Sequence, residues 1–202
     1  MGTDYYPRLT ATIHDEEKAR RLVNEQAHVA ILLAGPVLVA MLALAPWVIY
    51  LLYTEEFTPA VDILRWQILG DVLKILSWPM GFIILACGKG TMFMVKEAAI
   101  MGVFVFCTWV LMPFIGLEAT GLAFFVMYLI NVPVLFLISR FLIGFSWSKA
   151  VTLDAVILIV VAVTIAAIGT FSDAQGAVFG LVAVALMGAR SLIKLSQMAE
   201  LG

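Results

Sequence analysis

Residues 66–78 read WQILGDVLKILSW, which places Asp71 and Lys74 inside an otherwise apolar run. Between Arg65 and Lys89 these two are the only charges. A run of that length crosses a bilayer, whose hydrocarbon core takes about 20 apolar residues of helix. An ionisable group at membrane depth costs about 2.5–3.5 kcal/mol on insertion scales, so it faces a bundle interior or a wet cavity. Spaced i,i+3, the two side chains share a helix face and partly neutralise each other. At about 100° per residue, Gln67, Gly70, Asp71, Lys74, Ser77, Trp78 and Gly81 form one polar, small-residue stripe. Ile68, Leu69, Leu76, Met80 and Ile83 lie outside it. Such a helix is either a contact glued by polar and small residues or a wall of a transport cavity.

Composition extends the membrane reading to the whole chain. Its 202 residues are 63% hydrophobic and 13% charged, and the mean hydropathy is +1.07. An ordinary soluble domain is about 45–50% apolar and about 25% charged, so the fold class is all-α, a polytopic membrane helical bundle. The net charge of −2 says little, because placement of charge decides topology. The twelve basic residues are scattered over loops and form no stripe, so no nucleic-acid partner is expected.

Charge-free runs divide the chain. Residues 1–27 read as a segment that is charged and irregular at first and then helical. Asp15 can cap a helix with Glu16/Arg20 and Glu17/Arg21 at i,i+4, lying at the membrane surface. The segment is polar, so no signal peptide is expected at this start. His14 reads as a solvated loop residue and His28 as an interfacial one. A transmembrane bundle over 28–195 follows, with spans at about 28–53, 59–88, 94–115, 119–141, 151–170 and 174–194, and a short tail at 196–202. Pro36 and Pro46 should bend the first span, Pro79 the second and Pro133 the fourth. Trp47, Tyr50 and Tyr53 form an aromatic anchor at the end of the first span. Thr58-Pro59 reads as N-cap and first residue of the second, and Gly88-Lys89-Gly90 ends it. Arg190 and Lys194 stay in the last span by snorkelling.

Loop charge then orients the bundle. Arg8, Lys18, Arg20, Arg21, Lys89, Lys96, Arg140, Lys149, Arg190 and Lys194 fall on one side. Glu55, Glu56, Asp62, Glu118 and Asp173 fall on the other with a single base, Arg65. The positive-inside rule makes both termini cytoplasmic.

Chemistry-bearing motifs are few. Cys87 and Cys107 sit in apolar runs without CxxC spacing and read as small buried hydrophobes. Two histidines and no HExxH leave no metal site, and GKG at 88–90 lacks the spaced first glycine and following Ser/Thr of a phosphate loop. There is no GxSxG elbow and no room for a catalytic domain, so no enzyme activity and no cofactor are expected.

From about Tyr5 to Ile143 the chain resembles polysaccharide flippases of the multidrug/oligosaccharidyl-lipid/polysaccharide exporter superfamily, most closely Wzx-type O-antigen translocases. The residues that carry this are YYPRLT (5–10), LVNEQ (22–26), AGP (34–36) and APWVIYLLYTEEFTPAVDILRWQILGDVLKILSWPMGFIILACGKG (45–90). The last two spans match only in hydrophobicity. The resemblance implies part of a two-lobed bundle around a central cavity, in a bacterial inner membrane. It implies the flipping of undecaprenyl-diphosphate-linked oligosaccharide, with polysaccharide assembly proteins and membrane lipids as partners. Gln67, Asp71, Lys74 and Trp78 would line the cavity, with Lys74 meeting sugar or diphosphate oxygens and Asp71 tuning it or coupling an ion. The matching residues follow about the eighth helix of a full-length member. The chain therefore reads as a C-terminal portion, inactive unless an upstream polypeptide supplies the missing helices. A fragment of a drug/cation antiporter of the same superfamily, or a non-transporting membrane scaffold, are the other readings.

Overall fold

The computed structural model describes residues 2–200. They form α1 (Gly2–Thr12), α2 (Glu16–Leu52), a 3-10 turn (Glu55–Phe57), α3 (Ala60–Ala86), α4 (Gly90–Ile115), α5 (Glu118–Ile143), α6 (Lys149–Phe171) and α7 (Asp173–Glu200). Six of these, α2 to α7, are long and apolar enough to cross a membrane. The chain is a polytopic helical bundle. The six expected spans correspond to α2 to α7 in order, with ends that agree to within a turn except that α2 begins at Glu16 and α7 runs on to Glu200. Of the expected tail, 201 and 202 lie outside the described residues.

The N-terminal segment departs most from its reading. Gly2–Thr12 is a helix, and Tyr5, Leu9 and Ile13 are buried beneath it. These apolar residues recur every fourth position, one face of a helix, and pack on Val23 of α2, Met80 and Ile83 of α3, and Ile143 at the end of α5. The Tyr5 hydroxyl donates to the Pro79 carbonyl at 3.1 Å, and burial pushes its pKa up. Asp15 does cap α2: its carboxylate accepts from the Lys18 N–H at 3.1 Å, and that ammonium and amide hold its pKa below the usual carboxylate value. The expected Glu16/Arg20 and Glu17/Arg21 pairs do not form. Arg21 turns to Glu25 at 2.7 Å, while the Arg20 guanidinium donates to the backbone carbonyls of Glu16 and Gly144.

At 37 residues, α2 is about 55 Å long against a hydrocarbon core of about 30 Å, so its first turns stand outside the bilayer. Pro36 and Pro46 lie inside it, Pro79 inside α3 and Pro133 inside α5, and each helix continues across its proline. At the start of α3 the cap position belongs to Pro59, one residue later than expected. Glycines with positive φ, Gly88 at 71°, Gly116 at 60° and Gly144 at 60°, make the turns after α3, α4 and α5.

The helices alternate in direction. The α5–α6 connection lies beside the start of α2, where the Ser148 N–H donates to the Asn24 side-chain oxygen at 2.7 Å and Asn24 Nδ2 to the Ser146 carbonyl at 3.0 Å. At the opposite end, Arg65 at the start of α3 donates to the Gly169 carbonyl and pairs with Asp173, both at the α6–α7 turn. Trp66 Nε1 donates to Glu118 at the start of α5. The basic and acidic loops thus segregate to two ends.

The centre of the bundle is α3, which packs on α2, α5 and α6. Its partner α5 comes close because Gly121 sits against the Ile63 backbone and Gly70 against Phe124. The pair α6–α7, in which Gly176 meets Gly169, packs on α2 where Gly180 meets Ala43. Small residues four apart give this close approach in membranes. The exception is α4, which lies along α5 and buries only Lys96 and Ile100.

Candidate functional site

The apolar stripe of α3 faces inward. Ile68, Leu69, Leu76, Met80 and Ile83 are all buried, most of them in the core shared with α2, α6 and α7 or in the one beneath α1. The polar stripe on the other side splits by residue size. Its small members Gly70, Ser77 and Gly81 are buried, Gly70 against Phe124 of α5 and Gly81 facing Phe93 of α4, while Gln67, Lys74 and Trp78 are exposed.

Asp71 and Lys74 do meet, at 3.4 Å, but the pair is open: their side chains are 30% and 52% exposed. It is not the buried ion pair that the apolar run suggests. The ammonium of Lys74 is held by aromatic faces of α5, 5.6 Å from the Phe124 ring centre and 6.0 Å from that of Tyr128. Beneath it, a cavity of about 150 Å³ opens between α3, α4 and α5. Lys74 and Trp78 line it, with Glu97, Tyr128 and Asn131 opposite. Gln67 and Asp71 lie on the same face but outside its walls. A cavity that size holds a few waters.

Lys96, which the sequence suggests only as loop charge, is the buried cation beside this cavity. Its ammonium contacts Glu97, donates to Asn131 at 3.3 Å and lies 5.3 Å from the centre of the Phe93 ring. The cavity wall therefore carries one lysine, Lys74, and one carboxylate, Glu97, with the buried Lys96 ammonium bonded to Glu97 and Asn131 beside it. That arrangement can donate hydrogen bonds to an oxyanion or polyol.

The most buried charge among the described residues is elsewhere. Asp154, on α6, is 4% exposed and gathers three bases from two other helices. His28 Nε2 of α2 stands 2.8 Å from Oδ2, Lys194 of α7 2.7 Å from the same oxygen, and Arg190 of α7 touches Oδ1. His28 is thus a paired residue, and Arg190 and Lys194 turn inward to a carboxylate, which snorkelling did not anticipate. One sequence signal was present: Asp154 is an acid inside a span at the basic end. Cys87 and Cys107 are half-buried and free, which corrects their reading as core residues. Among the described residues no group of His, Cys, Asp or Glu could hold a metal ion.

No family model, curated protein or solved structure matches this chain. The flippase resemblance rests on the motifs in residues 5–143.

Proposed function

We propose that this chain is the C-terminal part of a transporter that flips undecaprenyl-diphosphate-linked oligosaccharide across a bacterial inner membrane. In this reading both termini are cytoplasmic, no reaction is catalysed, and the remaining helices come from an upstream polypeptide. The observation that carries the proposal is the exposure of the polar stripe of α3 at mid-membrane depth. Asp71 lies about 16 Å along the helix from Ala60, half of a core about 30 Å thick. A lysine half-exposed at that depth is unstable against lipid, so the face is built to meet protein or water. A second lobe across a wet cavity supplies both. Lys74 is more open than Asp71, so its ammonium is the group of this pair that would meet a diphosphate.

The test uses the transporter encoded by the complete reading frame. Lys74→Ala and Asp71→Ala should lower surface polysaccharide while the amount of inserted protein stays constant. Wild-type polysaccharide in both variants would assign the pair to packing and leave a membrane scaffold as the better reading.

A further inference from the structure

The α6–α7 hairpin carries a groove of about 290 Å³ whose floor borders the core at Val161, Ala183 and Met187 and whose rim includes the exposed Val182 and Leu186. Ile157 and Val161 of α6 face Phe179, Val182 and Leu186 of α7 across it, and Arg190 closes one end. From Phe179 to Arg190 the groove follows about 16 Å of helix axis at about 1.5 Å per residue. One leaflet of hydrocarbon is about 15 Å deep, half the core. The groove is therefore one acyl chain long, and its cation sits where a headgroup begins. That end is also the basic end of the bundle, beside the start of α2 and the α5–α6 connection.

Charge distinguishes the occupant. Arg190 gives one guanidinium nitrogen to Asp154, and its other donors make no hydrogen bond among the described residues. Lys194, one turn further on, shares the same carboxylate. Arg190 and Lys194, two cations against one carboxylate, leave at least one positive charge at the mouth. A guanidinium fork with free N–H groups matches a phosphate diester. We infer that the groove is a binding site for an anionic phospholipid of the leaflet on the basic side, with an acyl chain along Val161, Val182 and Leu186 and its phosphate at Arg190 and Lys194. The inference needs only the membrane-spanning bundle and stands whether or not the chain belongs to a flippase.

The test is native mass spectrometry of the whole chain in detergent, titrated with phosphatidylglycerol, phosphatidylcholine of the same acyl chains, or glycerol phosphate. Phosphatidylglycerol should be retained roughly fivefold better than phosphatidylcholine, the effect of one cation near a headgroup. Glycerol phosphate, which cannot use the groove, should not compete at equal concentration. The triple variant Asp154→Asn, Arg190→Gln, Lys194→Gln removes every charge without orphaning one, and should abolish the preference. Should that variant not fold, Val182→Trp at an exposed position fills the groove and should lower retention of both lipids. Equal retention of the two lipids by the native chain, competition by glycerol phosphate, or unchanged retention in Val182→Trp would each overturn the inference.

Discussion

Replacing Asp154 by alanine should be among the most damaging single charge changes in this chain, and its size follows from burial. The carboxylate is 4% exposed and takes Arg190, Lys194 at 2.7 Å and His28 at 2.8 Å. Removing one member of a buried ion cluster costs about 3–5 kcal/mol, because uncompensated charge stays behind. Arg190 and Lys194 keep part of their surface and can swing outward, which argues for the lower end, about 3 kcal/mol. Lys74→Ala breaks a pair that is half open and two weak ring contacts, worth about 1 kcal/mol together. A difference of about 2 kcal/mol is a factor of about 30 in the folded-to-unfolded ratio. Titration with sodium dodecyl sulfate in mixed micelles, followed by tryptophan fluorescence, reads both variants on one scale. The joint replacement of Asp154, Arg190 and Lys194 by leucine should recover most of the loss, since apolar groups in place of a buried ion cluster are commonly neutral or better. Coincident midpoints for Asp154→Ala and Lys74→Ala, or no recovery in the triple variant, would refute the reasoning.

Two further changes probe packing. In Gly121→Ala the new Cβ would stand 2.5 Å from the Ile63 carbonyl oxygen and 3.1 Å from the Ile63 Cα, so α3 and α5 must separate. The expected loss is about 1–3 kcal/mol in the same titration, and an unchanged midpoint would mean that the two helices do not pack so closely. Tyr5→Phe deletes the bond to the Pro79 carbonyl and should cost about 0.5–1.5 kcal/mol. Its readout is faster proteolysis at the 13–15 turn between α1 and α2, and native-like resistance there would mean that α1 is held by apolar contact alone.

The six spans were legible because each is a stretch too apolar and too long for anything else, and the Asp71–Lys74 contact because i,i+3 geometry is local. Asp15 was legible as a cap for the same reason. The docking of α1 was written in the fourfold spacing of Tyr5, Leu9 and Ile13, but the polar residues between them dominate a count over the segment. The Asp154 cluster was not legible. Its partners lie 126 and 40 residues away for His28 and Lys194, and each of them alone looks like an ordinary span-end residue. Nor could periodicity decide which stripe of α3 is covered, since an amphipathic helix in a membrane can bury either side.

That last point bears on what surrounds the bundle. The polar face of α3 and nearly the whole of α4 lie on the same uncovered flank, yet they ask for different surroundings. Along α4, Val105, Phe106, Trp109 and Phe114 are exposed and apolar, a surface at home in lipid or against another hydrophobic helix. Next to it, Lys74 and Asp71 need water or polar protein at the same depth. Lipid alone satisfies the first and not the second. A boundary between a lipid-facing surface and a wet one therefore runs between α4 and α3, and the cavity under Lys74 lies on it. Such a boundary is the edge along which a molecule with a hydrocarbon tail and a polar head would move in the proposed flippase.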